Sequence, residues 1–220
     1  MSLFTRKPRP LTRDSQSLRD DRLFIVACDD TFAPRQYFNF FRISRIKIHV
    51  VPTEDGSSAA PHVLARLLEF ERDTDDQLWL LLDTDHCIEP NHIATFSQTL
   101  AEARRQGVNV ALSRPCFEVW LLLHHVDHSD IRNLENANQT ELALRTILGE
   151  YNKRKLKKHH FVIGQVAQAC IRANSLDDQV GANLIPNSTT TRVYQLWRAI
   201  VEKALPSQLP IELRDPRILG

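Results

Sequence analysis

The sequence predicts an α/β protein built on a mainly parallel sheet flanked by helices. Three observations predict it. Short apolar runs recur along the chain, the purest being Leu23-Phe24-Ile25-Val26-Ala27-Cys28 and Leu78-Trp79-Leu80-Leu81-Leu82. Segments with apolar residues close to helical spacing, such as Val63, Leu64, Leu67 and Leu68, lie between them. Both pure runs also end in acidic residues, Asp29-Asp30 and Asp83-Thr84-Asp85, at the carboxyl strand ends where open α/β sheets place their ligands.

The elements follow in order. Residues 1–20 are polar, with basic and proline-rich stretches, and read as a flexible arm. Residues 23–28 form a buried first strand. The aromatic cluster at 37–42 is expected on a helix against the sheet. Residues 46–51 alternate as a second strand, and 60–72 form a helix. The third strand is 78–82. A helix over 91–106 follows, capped by Asn91 and ended by Gly107. Residues 108–112 make a fourth strand, and 117–125 begin another helix. Strands alternating with helices imply βαβ units and a parallel sheet. The composition shifts after His128. Helices are expected over 134–148, 162–172 and 191–204, with hydroxyl donors and an N-cap in Pro186-Asn187-Ser188-Thr189. The organisation expected is thus an arm (1–20), an α/β core (21–128), a helical extension (129–205) and a tail or partner-binding segment (206–220).

At 220 residues the chain can bury a substantial core. A net charge of +1 gives no global attraction to nucleic acid, so any such contact rests on a local patch. No apolar run approaches the roughly twenty residues that span a bilayer, and the basic N-terminus lacks the apolar stretch of a signal peptide. Cys28, Cys87, Cys116 and Cys170 are widely separated, without Cys-x-x-Cys spacing. That spacing argues against a zinc ribbon and offers no disulfide framework. The chain reads as cytoplasmic.

The chemistry concentrates on acids. Side chains at i and i+2 of a strand share a face, so Asp83 and Asp85 should point the same way. With Asp29 they suit a hard divalent cation, Mg²⁺ or Mn²⁺, which prefers oxygen ligands. Each would equally serve as a cap for the helix that follows. Glu118 lies just past the fourth strand and should face the same sheet edge, or act as a first-turn acid favoured by the helix dipole. His86 is expected on an exposed loop, and His124-His125 with His128 at a solvated helix end. Cys116 reads as a buried structural thiol. The strongest basic run carries Lys153, Arg154, Lys155, Lys157 and Lys158. It is either a solvated face or a clamp on phosphate oxygens, with Tyr151 beside it as a base-stacking or core residue.

The block Ser113-Arg114-Pro115-Cys116-Phe117-Glu118-Val119-Trp120-Leu121-Leu122-Leu123-His124-His125 resembles the signature of the RloB-like proteins. These are a prokaryotic family of Toprim-type fold, usually encoded beside an ATPase and associated with phage defence. The acidic turn after the first strand, the Asp-x-Asp, Tyr151-Asn152-Lys153 and the stretch from Pro186 to Tyr194 occur in the family's order. The resemblance runs over residues 21–205. The chain departs from the family at two places. Where the family shows Cys-Glu-Gly and then Thr-Glu-Pro, this sequence reads Cys28-Asp29-Asp30-Thr31-Phe32-Ala33-Pro34, and Arg114 stands where asparagine is common.

The resemblance implies a Toprim-like core with a C-terminal helical extension, and a metal-dependent phosphodiester nuclease subunit. Asp29, Asp83, Asp85 and Glu118 would be catalytic, the three aspartates would hold metal, and 153–158 would bind DNA or RNA. The competing expectation is a non-catalytic recognition or scaffold subunit that partners an ATPase. The chain has no Gly-x-x-x-x-Gly-Lys-[Ser/Thr] of its own. Homo-oligomerisation is compatible with either. A receiver-like phospho-acceptor domain is excluded, because Lys7-Pro8, the sole Lys-Pro, does not follow a fifth strand.

Overall fold

A computed structural model describes residues 21–220 apart from 31, 54–56, 86, 88 and 182. The expected arm and His86 lie outside the described residues. β1 (Arg22–Cys28), β2 (Ile46–Val50), β3 (Gln77–Asp83) and β4 (Asn109–Arg114) are parallel to their neighbours. A two-residue β5 (Thr190–Thr191) adds antiparallel to β4, giving the order β2-β1-β3-β4-β5. The mainly parallel α/β sheet expected from sequence is the one observed, and it is consistent with a Toprim-like fold.

Parallel strands need crossovers, and the helices supply them. Strand alternation then sorts two cores. Leu23, Ile25, Ala27, Leu78, Leu80 and Leu82 face α2 (Ala60–Leu68) and α3 (Ile93–Arg105). Phe24, Val26, Cys28, Trp79 and Leu81 face the other way. That side is covered by α1 (Phe32–Asn39), α4 (Glu118–Leu122), α6 (Ile163–Val180) and α7 (Val193–Lys203). Near-continuous apolar strands are what two covered faces demand. The helices beyond residue 129 thus share a core with the sheet.

Several boundaries differ from expectation for local reasons. α3 begins at Ile93 behind His92, with no side-chain cap, so Asn91 does not serve as its N-cap; Gly107 does end it, at φ +71°. α5 (Ala137–Leu148) is capped by Asn136, whose Oδ1 accepts from the Gln139 amide at 3.0 Å, and closes on a left-handed Gly149. The Thr189 hydroxyl caps no helix, while that of Thr191 accepts a long 3.4 Å bond from the Val193 amide at the start of α7. Thr189 donates to the carbonyls of Arg132 and Leu134, and Thr191 shares a 2.9 Å hydrogen bond with Ser113 across β4–β5. The expected tail packs instead: Leu209, Leu213 and Ile218 are buried, with short turns laid against α6. No helix among the described residues is long and apolar enough to cross a membrane.

Tyr37 is the hub of the larger core. Its ring meets Phe117, Trp120, His124, Phe161 and Trp197 edge-on at 5.4 to 6.4 Å, the orientation that aromatic quadrupoles favour. His124 is therefore buried, not at a solvated helix end. Its Nδ1 lies 2.9 Å from the Trp120 carbonyl and its Nε2 2.9 Å from the Tyr37 hydroxyl. Because a carbonyl only accepts, Nδ1 carries the proton, and Tyr37 donates to Nε2. Burial holds the His124 pKa down to about 3, so the imidazole is neutral at physiological pH. Tyr37→Phe should leave Nε2 without a donor and cost about 1–3 kcal/mol, read by urea unfolding. A loss within measurement error would show that the hydroxyl contributes nothing.

Candidate active site

The sheet order makes β1 and β3 neighbours, and their carboxyl ends open together onto one cleft of about 530 Å³. Asp29, Asp30, Asp83, Asp85 and Glu118 all line it. Asp29 ties the two strands together. Its Oδ1 accepts from the Asp30 amide and its Oδ2 from the Asp83 amide, each at 2.9 Å. Both bonds are charge-assisted and fix the carboxylate's orientation.

Asp83 and Asp85 reach this cleft by a route other than the expected one. β3 ends at Asp83, so strand alternation does not carry on to Asp85. Residues 84–85 instead turn under the neighbouring strand. The Thr84 amide donates to the carbonyls of Ser113 and Pro115, and the Asp85 amide to that of Pro115 at 3.2 Å. The block around Glu118 thus supports the Asp-x-Asp through its backbone. Glu118 is the first residue of α4 and is only 5% exposed. The Tyr151 hydroxyl donates to its Oε1 at 2.5 Å. Tyr151 is half-buried and committed to this bond, which the sequence could not show between residues 33 positions apart.

Charge is crowded here. Burial lifts the Asp29 pKa to about 6, against the pull of its backbone hydrogen bonds. Burial also raises the Asp83 carboxyl well above the usual range, with the charges of Asp29, Glu118, Asp85 and Asp30 adding to it. Glu118 is raised by burial, opposed by hydrogen bonds from Tyr151 and the Cys116 thiol. The half-buried Cys87 is pushed up to about 11 by burial and by the aspartates at 29, 85 and 83. Cys116 is buried, as expected.

Among the described residues that line the cleft, Lys153 brings a cation into it. Lys153 Nζ stands 3.2 Å from Asp30 Oδ2. Burial lowers the Lys153 pKa, but Asp30, Glu118 and Glu141 outweigh it and the net shift is upward. Asp30 also accepts from the Phe32 amide at 2.8 Å, anchoring the entry to α1. The basic run is therefore divided. Arg154 lies 4.7 Å over the Phe32 ring, and Lys157 is paired with Glu150. Lys155 and Lys158 are exposed.

The lining is rich in carboxylates, with His92, Cys87 and Cys116 also on it, and its oxygens are chemically suited to a hard divalent cation. Among the described residues, no three His, Cys, Asp or Glu side chains yet stand close enough to hold one. Any ion would have to draw Asp29, Asp83 and Asp85 together. The charge crowding itself gives a test. A carboxyl with a raised folded pKa stabilises the fold at low pH and loses that contribution as pH rises through the folded value. Asp83→Asn should therefore raise the melting temperature at pH 8 by roughly 2–4 °C, with little gain near pH 4. Equal effects at both pH values would remove charge crowding as the cause.

No curated protein and no solved structure gives a significant match to this sequence. The family model described as RloB-like protein matches residues 24–200. That span takes in most of β1, all of β2 to β4, the acidic cleft, the basic run and most of α7, and the chain belongs to the RloB-like protein family.

Proposed function

We propose that the acidic cleft is the active site of a metal-dependent phosphodiester nuclease, working as a subunit of a prokaryotic antiphage defence system beside an ATPase. The convergence of Asp29, Asp83, Asp85 and Glu118 on one cleft carries this reading. Asp29, Asp83 and Asp85 would hold Mg²⁺ or Mn²⁺, which when bound supplies charge neutralisation for an in-line displacement at phosphorus.

The protein's own groups do the rest. Asp29, held by burial above the ordinary carboxylate range in the ion-free cleft, would be drawn into its ionised form by the cation it helps to hold. Its two backbone hydrogen bonds keep it aimed while each oxygen retains a lone pair. Tyr151 holds the Glu118 carboxyl in one orientation at the cleft wall. Lys153 can exchange Asp30 for a substrate phosphate oxygen, since this half-exposed pair is worth only about 0.2–1 kcal/mol.

A second reading, a recognition or scaffold subunit, draws on one observation. The Lys153 ammonium already neutralises part of the cleft, and Asp29, one methylene shorter than the family's glutamate, is tied back to the strand ends. Calorimetry separates the two readings. Mg²⁺ or Mn²⁺ should bind the wild type, and binding should vanish in Asp83→Ala. Because Asp29 must be ionised, affinity should fall about tenfold between pH 7.5 and pH 5. No binding at pH 7.5, with or without a short oligonucleotide, would favour the scaffold. On any nucleic acid that the wild type cleaves, Asp83→Ala combined with Asp85→Ala should abolish turnover; wild-type rates in that variant would place the chemistry elsewhere.

A further inference from the structure

An acidic cleft repels a polyanion, so a phosphodiester needs a positive approach to reach it. The structure has one, and it is lined with rings. Residues 153–161 form a strap along one side of α1 and meet it at three places in order. Arg154 lies over Phe32, the first residue of α1. Gln36 then donates to the Lys153 carbonyl and accepts from the Leu156 amide, at 2.8 and 2.9 Å. Phe40, just past the helix, stacks parallel to Phe161 at 6.4 Å. Phe32, Gln36 and Phe40 are four residues apart and lie on one side of the helix. The stripe is about 12 Å long.

Phe32 is 47% exposed, and Phe40 is half-buried. At one end Phe32 and Lys153 line the acidic cleft. At the other, Phe40 opens onto a second hollow with an apolar floor and a rim carrying Arg42, Lys157 and Lys158. Exposed cations thus alternate with flat apolar surfaces from one hollow to the next.

We propose that this stripe and strap form a track for single-stranded nucleic acid leading into the acidic cleft. Arg154, Lys155, Lys158 and Arg42 contact the phosphates, and Phe32 and Phe40 take the faces of unpaired bases. A duplex hides those faces, whereas every unpaired base offers one. The track rests on the nuclease reading for its purpose and names the substrate class of that site, unpaired strands or loops of DNA or RNA.

The test is fluorescence anisotropy with short labelled single strands, as DNA and as RNA, against a hairpin duplex of the same sequence, in EDTA to silence cleavage. Single strands should bind more tightly than the duplex. Phe32→Ala and Phe40→Ala should each weaken single-strand binding about fivefold or more. Phe40→Trp should retain it, which separates stacking from damage to the fold. Replacing Lys155 and Lys158 with alanine should flatten the salt dependence by about 0.7 for each lost phosphate contact. Equal affinity for duplex, indifference to Phe32→Ala, or no oligonucleotide binding would each overturn the track; the last would leave the hollow at Phe40 to a peptide. Ring-dependent binding without cleavage in Mg²⁺ or Mn²⁺ would overturn the nuclease reading alone. Cleavage without single-strand preference would overturn the track alone.

Discussion

The Asp29 carboxylate bridging the ends of β1 and β3 is the contact on which the site depends. It satisfies the amides of Asp30 and Asp83 where the strands stop pairing, so the polar cost of ending two parallel strands side by side is met by one side chain. The same choice places a buried carboxylate among other carboxylates. The fold secures its strand ends with a group that would be better solvated, and the crowding that follows gives the cleft its character.

Around this point the two faces of the sheet have different jobs. The face under α2 and α3 is an aliphatic layer with Phe96 at its edge. The opposite face is aromatic and is knitted by Tyr37, which belongs to the helix carrying the ring stripe on its outer side. A rigid inner face on α1 thus fixes the outer one. The fold element that closes the core also sets where Phe32, Gln36 and the strap lie relative to the acids.

Much of this was legible in the sequence. The four parallel strands are short, almost wholly apolar or alternating, and bounded by polar turns, and periodicity locates such segments well. The acidic strand ends were legible for the same reason. β5 was not, because two threonines are too short to show a period and their partners, Ser113 and Arg114, lie more than 70 positions away. His124 read as a solvated helix end because its partner, Tyr37, is 87 positions distant. The inward turn of Lys153 depends on Asp30, on the far side of the chain, and a basic run alone cannot say which of its members will find an acid. The turn that delivers Asp85 was hidden too, since it is made by backbone carbonyls that carry no residue signature.

Cys87 draws a chemical consequence from the cleft. Oxidants and alkylating agents attack thiolates, not thiols. With its pKa pushed up to about 11, first by burial and then by the acids beside it, this thiol is almost wholly protonated at neutral pH. The other three cysteines are buried. Burial and the negative charge that invites a cation therefore act together to keep this partly accessible thiol unreactive.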